Sequence, residues 1–205
     1  KWLDKEDLPD LISLTESAKQ VAPDKAAVVI GGGLGRSEET KETVLKYLEQ
    51  IKIKGVIDAD GIHALAQKPE KIKGNKFIIT PHAFEFFVLT GKEIKNLDFE
   101  EKVKVVKEEA TRFDSVILLK GGKDIISDGK ETVINEAGSP YLTVGGTGDV
   151  LAGICGSLLA QGIEPFLAAQ AAAFINGKAG EIAAKKFGSG LTATDLVEAI
   201  PKVLK

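Results

Sequence analysis

Four short apolar runs punctuate the first 121 positions: AAVVIG at 26–31, GVIDAD at 55–60, KFIITP at 76–81 and SVILLKG at 115–121. Each is apolar at nearly every position rather than at every second one, the pattern of strands covered on both faces. Between them the period is helical. The segment 37–51 opens with Ser37, Glu38 and Glu39, and 98–113 opens with Asp98 followed three residues later by Glu101, so both starts carry N-terminal caps. After position 121 the period shortens to two in DIISDGKETVIN, where Asp128-Gly129 reads as the two-residue turn of a β-hairpin. Helical patterns return at roughly 149–161, 164–187 and 194–204, the last with Thr192 and Asp195 as its cap. Strands alternating with helices, with no low-complexity linker and no internal repeat, predict a single α/β domain spanning 1–205.

Composition narrows the partners. At 205 residues and 43% hydrophobic content the chain can bury one sizeable core. A formal net charge of -3 with Lys and Glu evenly mixed leaves no basic stripe, so nucleic acid is not an expected partner. The single cysteine, Cys155, lies in an apolar segment and reads as a small core residue in a reducing compartment. No run approaches the roughly 18 apolar residues of a membrane span, and KWLDKEDLPD does not resemble a signal peptide. A cytoplasmic, soluble protein with no membrane partner is expected. The chain starts at Lys1 and contains no methionine, so its natural start is expected upstream.

Two glycine stretches carry the candidate chemistry. IGGGLGR at 30–36 is not a dinucleotide fingerprint, because the third glycine would fall at Arg36 or Glu38. The Gly-Lys pairs at 91, 122, 129 and 177 are followed by Glu, Asp, Glu and Ala, so no phosphate-binding P-loop is present. GGGLG is then either a bare strand end that a ligand can approach closely or a tight turn. In TVGGTGDVLAG, residues 143–153, Gly145, Gly146 and Gly148 free successive backbone N–H groups at the start of a helix, forming an anion site. Asp149 follows at once. Its carboxylate either takes a proton from an attacking hydroxyl or merely caps the helix. Asp58 and Asp60 are a possible metal pair or the anchor of the helix that follows; no metal ligands are assigned. His63 reads as a packing or capping residue.

The set GGGLGR (31–36), DADGIHAL (58–65), TPHAFEFFVLTGK (80–92), LLKGGKDIISDG (118–129), GGTGDVLAG (145–153) and LTATDLVEAIP (191–201) resembles the ADP- or ATP-dependent NAD(P)H-hydrate dehydratases of the ribokinase-like superfamily. The motifs keep that family's order over nearly the whole chain. The resemblance implies a three-layer α/β/α fold with a mostly parallel central sheet, and a family N-terminal strand and small-residue segment that this chain lacks. It assigns Asp149 as base, with Gly146 and Gly148 in the anion hole. It assigns Lys120, Gly121, Gly122, Lys123, Asp124 and Gly145 to Gly148, with Thr147, to the adenine nucleotide. It places Gly35, His82, Glu85 and Asp149 at the hydrated nicotinamide substrate, Glu85 behind the others. The implied reaction phosphorylates the hydrate hydroxyl from ADP or ATP with Mg²⁺ and expels phosphate, restoring NAD(P)H. A homotetramer and an upstream epimerase domain are also implied. The alternatives are a ribokinase-like kinase of a small alcohol, of hydroxymethylpyrimidine or hydroxyethylthiazole type, and a nucleotide-binding module without turnover.

Overall fold

The four apolar runs do form strands, and their carboxyl ends point to one edge. The structure, a computed structural model, describes residues 26–205; the first 25 residues of the expected domain lie outside the described residues. The strands β1 (Ala27–Ile30), β2 (Lys54–Ile57), β3 (Phe77–Ile79) and β4 (Val116–Leu119) are parallel neighbours in that order. β5 (Asp124–Ser127) and β6 (Thr132–Asn135) add an antiparallel hairpin beside β4. β2 to β5 are buried almost throughout, as continuous apolar runs require. β1 departs from that reading: it is the edge of the described sheet, and Val29 is half exposed.

The helices are α1 (Glu38–Gln50), α2 (Ala59–Leu65), α3 (Ala83–Thr90), α4 (Phe99–Phe113), α5 (Thr147–Ala160), α6 (Pro165–Phe187) and α7 (Ala193–Val203). One face of the sheet packs against α1 to α4 through Leu48, Ile62, Leu65, Phe86, Val106 and Phe113. The other packs against α5 and α6 through Leu151, Cys155, Leu159 and the alanines 168, 169, 172 and 173. Small residues let α6 lie close to the sheet. α7 packs outside α6 through Leu196 and Ala199. The result is three layers, helix on sheet on helix.

The caps fall where expected at Ser37, Asp98 and Thr192, the last two as reciprocal capping boxes. Three details differ. The apolar run at 55–60 stops being a strand at Ile57, because Asp58 turns the chain directly into α2. The hairpin corner is shifted by one residue: Asp128 N–H still donates to the Glu131 carbonyl at 3.3 Å, while Gly129, at φ +88, and Lys130 make the corner. The Asp128 carboxylate causes this by accepting from the N–H groups of Lys130 (2.8 Å) and Glu131 (2.7 Å). The third is α5, which begins at Thr147 rather than near Asp149.

Candidate active site

That earlier start removes Asp149 from the N-cap position. The N-cap of α5 is Gly146, at φ +91, a backbone conformation that glycine adopts freely. Asp149 is the third residue inside the helix, so it is not the cap, and no side chain satisfies the first-turn N–H groups. Apart from Thr147 N–H, which donates to the Val144 carbonyl at 3.5 Å, they stand at the positive end of a 14-residue helix, where negative charge is favoured. Asp149 itself is exposed, and it faces the other glycine stretch: a Cβ added at Gly32 would meet Asp149 Oδ1 at 3.1 Å.

GGGLG is accordingly more than a tight turn. Gly31, at φ +137, is pressed against the start of α2 so closely that a Cβ there would lie 1.7 Å from the Asp58 carbonyl oxygen. Gly35 N–H donates to Asp60 Oδ2 at 2.9 Å, and Arg36 Nε donates to Asp60 Oδ1 at 2.7 Å. Burial alone raises the Asp60 carboxyl, but these two donors outweigh it and hold the group below its ordinary value. Asp60 is thus the strut of the loop that carries Gly35. Asp58 turns the other way, which ends the reading of the two as a metal pair. Among the described residues no three His, Cys, Asp or Glu side chains cluster as a metal cage.

Asp58 sits in a polar knot that the sequence did not reveal. Its side chain is 6% exposed; Oδ1 accepts from Thr80 Oγ1 at 2.7 Å and from Lys120 Nζ at 3.0 Å. Lys120 Nζ also lies 3.6 Å from Glu85 Oε2. Glu85 is buried, accepts the His82 N–H at 2.9 Å, and returns its own N–H to His82 Nδ1 at 3.2 Å, so the pair is a capping box on α3. His82 is therefore the residue that caps the start of α3, with its ring half exposed toward the cavity. Glu85 is behind it, gripping both His82 and Lys120. The one available sequence signal for this knot was an aspartate placed at the end of an apolar strand.

These loops border one cavity of about 750 Å³, lined by His82, Lys120, Gly121, Gly122, Asp124 and the whole stretch Gly145 to Gly148. Lys120 Nζ approaches the anion site, lying 3.5 Å from where a Cβ at Gly148 would be; Asp58 Oδ2 lies 3.9 Å from the same point. A strap, residues 136–144, forms the far wall. It is seated on α6, where Gly177 leaves room for the Ala137 carbonyl and Gly180 for Leu142. Asn135 pins it, its Nδ2 donating to Ala137 O at 3.1 Å and to Asp124 Oδ2 at 2.9 Å. Asp124 also accepts the Gly121 N–H at 3.0 Å, so its carboxylate shapes the Lys120–Asp124 loop; its burial raises the carboxyl above the ordinary range. Thr147 spends its hydroxyl on Leu142 O (2.7 Å) and Val144 O (2.9 Å), and its backbone N–H also donates to the Val144 carbonyl at 3.5 Å, so the residue ties the strap to the start of α5. Lys123 turns away from this cavity toward Glu136 and the Phe99 ring. Gly35, Glu85 and Asp149 stand at or behind the cavity rather than in its wall.

His63 packs near Phe84, with ring centroids 6.3 Å apart; its Nε2 is buried without a partner among the described residues, and burial, with the Arg36 charge, holds its ring below the usual imidazole range. Cys155 is buried in the core, and burial pushes its thiol up to about 12. It is not a nucleophile.

Comparison with known proteins places this site in a family. The model of the NAD(P)H-hydrate dehydratases matches residues 6–202. A bifunctional NAD(P)H-hydrate repair enzyme of Hyperthermus butylicus is 45% identical over 184 residues, which cover 87% of this chain and 34% of that protein. An ADP-dependent (S)-NAD(P)H-hydrate dehydratase of Cenarchaeum symbiosum is 40% identical over 189 residues, covering 92% of this chain and 65% of that one. The chain therefore spans about a third of the bifunctional relative and just under two thirds of the dehydratase. Among solved structures, the ADP/ATP-dependent NAD(P)H-hydrate dehydratase of Bacillus subtilis, crystallised with ATP and Mg²⁺ and soaked with coenzyme A, superposes with a TM-score of 0.77 at 29% identity, over 87% of this chain and 65% of that one.

Proposed function

The chain belongs to the NAD(P)H-hydrate dehydratase family, with its ribokinase-like fold, and on that premise we propose that it performs the ADP- or ATP-dependent dehydration of the S-form of NAD(P)H hydrate. One observation carries the chemistry: an uncapped glycine-lined helix start with a free carboxylate, Asp149, beside it. Asp149 takes the proton of the hydrate's C6 hydroxyl, and that oxygen attacks the terminal phosphorus of the nucleotide. The N–H groups around Gly146 and Gly148 hold the oxygens of the phosphoryl group as it moves, and Lys120 adds a positive charge 3.0 Å from its partner Asp58. Hydroxide, a poor leaving group, has then become phosphate. The phosphoryl transfer leaves AMP or ADP; the ring nitrogen's electron pair then expels the phosphate, and the iminium so formed loses its C5 proton to water, which restores the reduced nicotinamide. His82 and Gly35 border the place where the hydrated ring sits, and Glu85 positions His82 and Lys120.

Mg²⁺ fits this arrangement as a guest of the nucleotide. It binds through phosphates and one or two carboxylates while keeping waters. Asp58, whose Oδ2 looks toward Gly148 while Oδ1 is occupied, is the carboxylate that would complete its shell. When bound it neutralises phosphate charge.

The relatives' names favour the dehydratase over a kinase of a small alcohol. The bifunctional relative supports a chain that works beside a second domain; that this domain is an epimerase, and that the dehydratase part is one cytoplasmic domain assembled as a tetramer, belong to the same proposal. No described helix is long and apolar enough to cross a membrane. The residue assignments are tested by Asp149→Asn: ADP affinity should stay within about twofold of the parent protein's while turnover falls by on the order of 10² or more. Near-normal turnover in that variant would remove Asp149 from its role.

A further inference from the structure

A second cavity, of about 650 Å³, opens on the other side of the Lys120–Gly122 loop. The two cavities share Lys120, Gly121 and Gly122 as a common wall, and the second begins at Ala83, next in sequence to His82. Its floor is apolar, with Ile94, Leu119 and Ile125, and the Phe99 ring stands 41% exposed at its side. Its charged lining residues are all lysines: 95, 102, 120 and 123. Lys120 is held by Asp58 and Lys123 by Glu136. The amines of Lys95 and Lys102 have no ion-pair or hydrogen-bond partner among the described residues. Of the carboxylates nearest in sequence, Glu93 accepts the Lys95 backbone N–H at 2.9 Å, Asp98 and Glu101 cap α4, and Glu100 pairs with neither lysine. An apolar, aromatic-walled cavity whose formal charges are all positive is built for a ligand that is both flat and anionic.

The dehydratase reading, on which this inference rests, supplies such a ligand. The hydrate is a dinucleotide. With its altered ring at His82 and Asp149, and the co-substrate beneath the strap, its pyrophosphate and second nucleoside need a place of their own. We propose that the second cavity takes that phosphate-bearing half, with Lys95 and Lys102 contacting its phosphates and Phe99 offering a face to its base. These lysines are binding and specificity residues, remote from the transferred phosphoryl group.

The test is an equilibrium titration of NADPH fluorescence against the parent protein and Lys95→Gln/Lys102→Gln, with ADP and inorganic pyrophosphate titrated in parallel. Both side chains are at least partly solvent-exposed, so the double variant should fold, as its melting curve will verify. The double variant should bind NADPH at least about tenfold more weakly, with ADP affinity unchanged. In turnover, its KM for the hydrate should rise by the same factor with kcat within about twofold. Unchanged NADPH affinity overturns the proposal, as does a parent protein that binds no NADPH. Loss of pyrophosphate binding with NADPH binding intact also overturns it, since the cavity would then be an unrelated anion site. Lysine-dependent NADPH binding without turnover of the hydrate would sustain this proposal and defeat the dehydratase reading, so the two fail separately.

Discussion

A carboxylate beside a helix start is usually a cap, and only position within the helix distinguishes a cap from a base. Here the cap is Gly146, and Asp149 is the third residue inside the helix, which is compatible with the proposed base. The sequence displayed the glycines and the aspartate but not that two-residue offset, since helix boundaries depend on φ at a single glycine. Lys120 was readable as a phosphate ligand; its buried partner was not, because Asp58 lies 62 positions away and only the fold brings them together. That pairing has a measurable consequence. Lys120→Met leaves Asp58 buried and uncompensated, with an expected loss of about 3 kcal/mol and hence a melting temperature roughly 6–12 °C lower. Asp58→Asn/Lys120→Met should recover part of that loss in a thermal melt, because no lone charge then remains. Cys155 gives a simpler expectation. With its thiol raised to about 12 by burial, alkylation near pH 8 should be undetectable until the protein is unfolded by denaturant, as read by mass spectrometry.

At the level of elements, apolar runs and capping residues made strands and helices legible to within a few residues. Tight approaches between elements were not legible, since they depend on what a glycine faces. Gly177 lies mid-helix, where alanine would ordinarily stabilise by about 1 kcal/mol. At this position a Cβ would meet the Ala137 carbonyl oxygen at 2.3 Å. Gly177→Ala should therefore push the strap off α6 and raise the KM for ADP roughly tenfold, with helix content by circular dichroism unchanged. The Gly35–Arg36 loop depends on Asp60, whose carboxyl lies below its ordinary value of 3.8. Its stabilisation is fully present above that value and is lost as pH falls through the lower folded one. Asp60→Asn should thus melt below the parent protein near neutral pH, and the gap should close as the pH is taken below about 4.

For the whole molecule, the succession of strand and helix predicted an α/β domain, the family resemblance implied its three layers, and the parallel order placed β1 to β4 with their carboxyl ends on one edge. Loops from that edge, 31–36, 58–60, 80–85 and 120–124, meet the start of α5 and enclose a site assembled from stretches up to 118 positions apart, as from Gly31 to Asp149. Motif order announced the family, yet the second, lysine-lined cavity was invisible, because Lys95 and Lys102 belong to no motif and gain meaning only from facing the Lys120–Gly122 loop. The central claim is that phosphate is attached to the substrate in order to be expelled from it. It is tested most directly by mixing the protein with S-NADPH hydrate, ADP and Mg²⁺ and following reduced-nicotinamide absorbance together with released phosphate. The account predicts one NADPH and one free phosphate for each AMP formed. AMP formation with no return of absorbance, and with the phosphate held in a stable organic product, would contradict it.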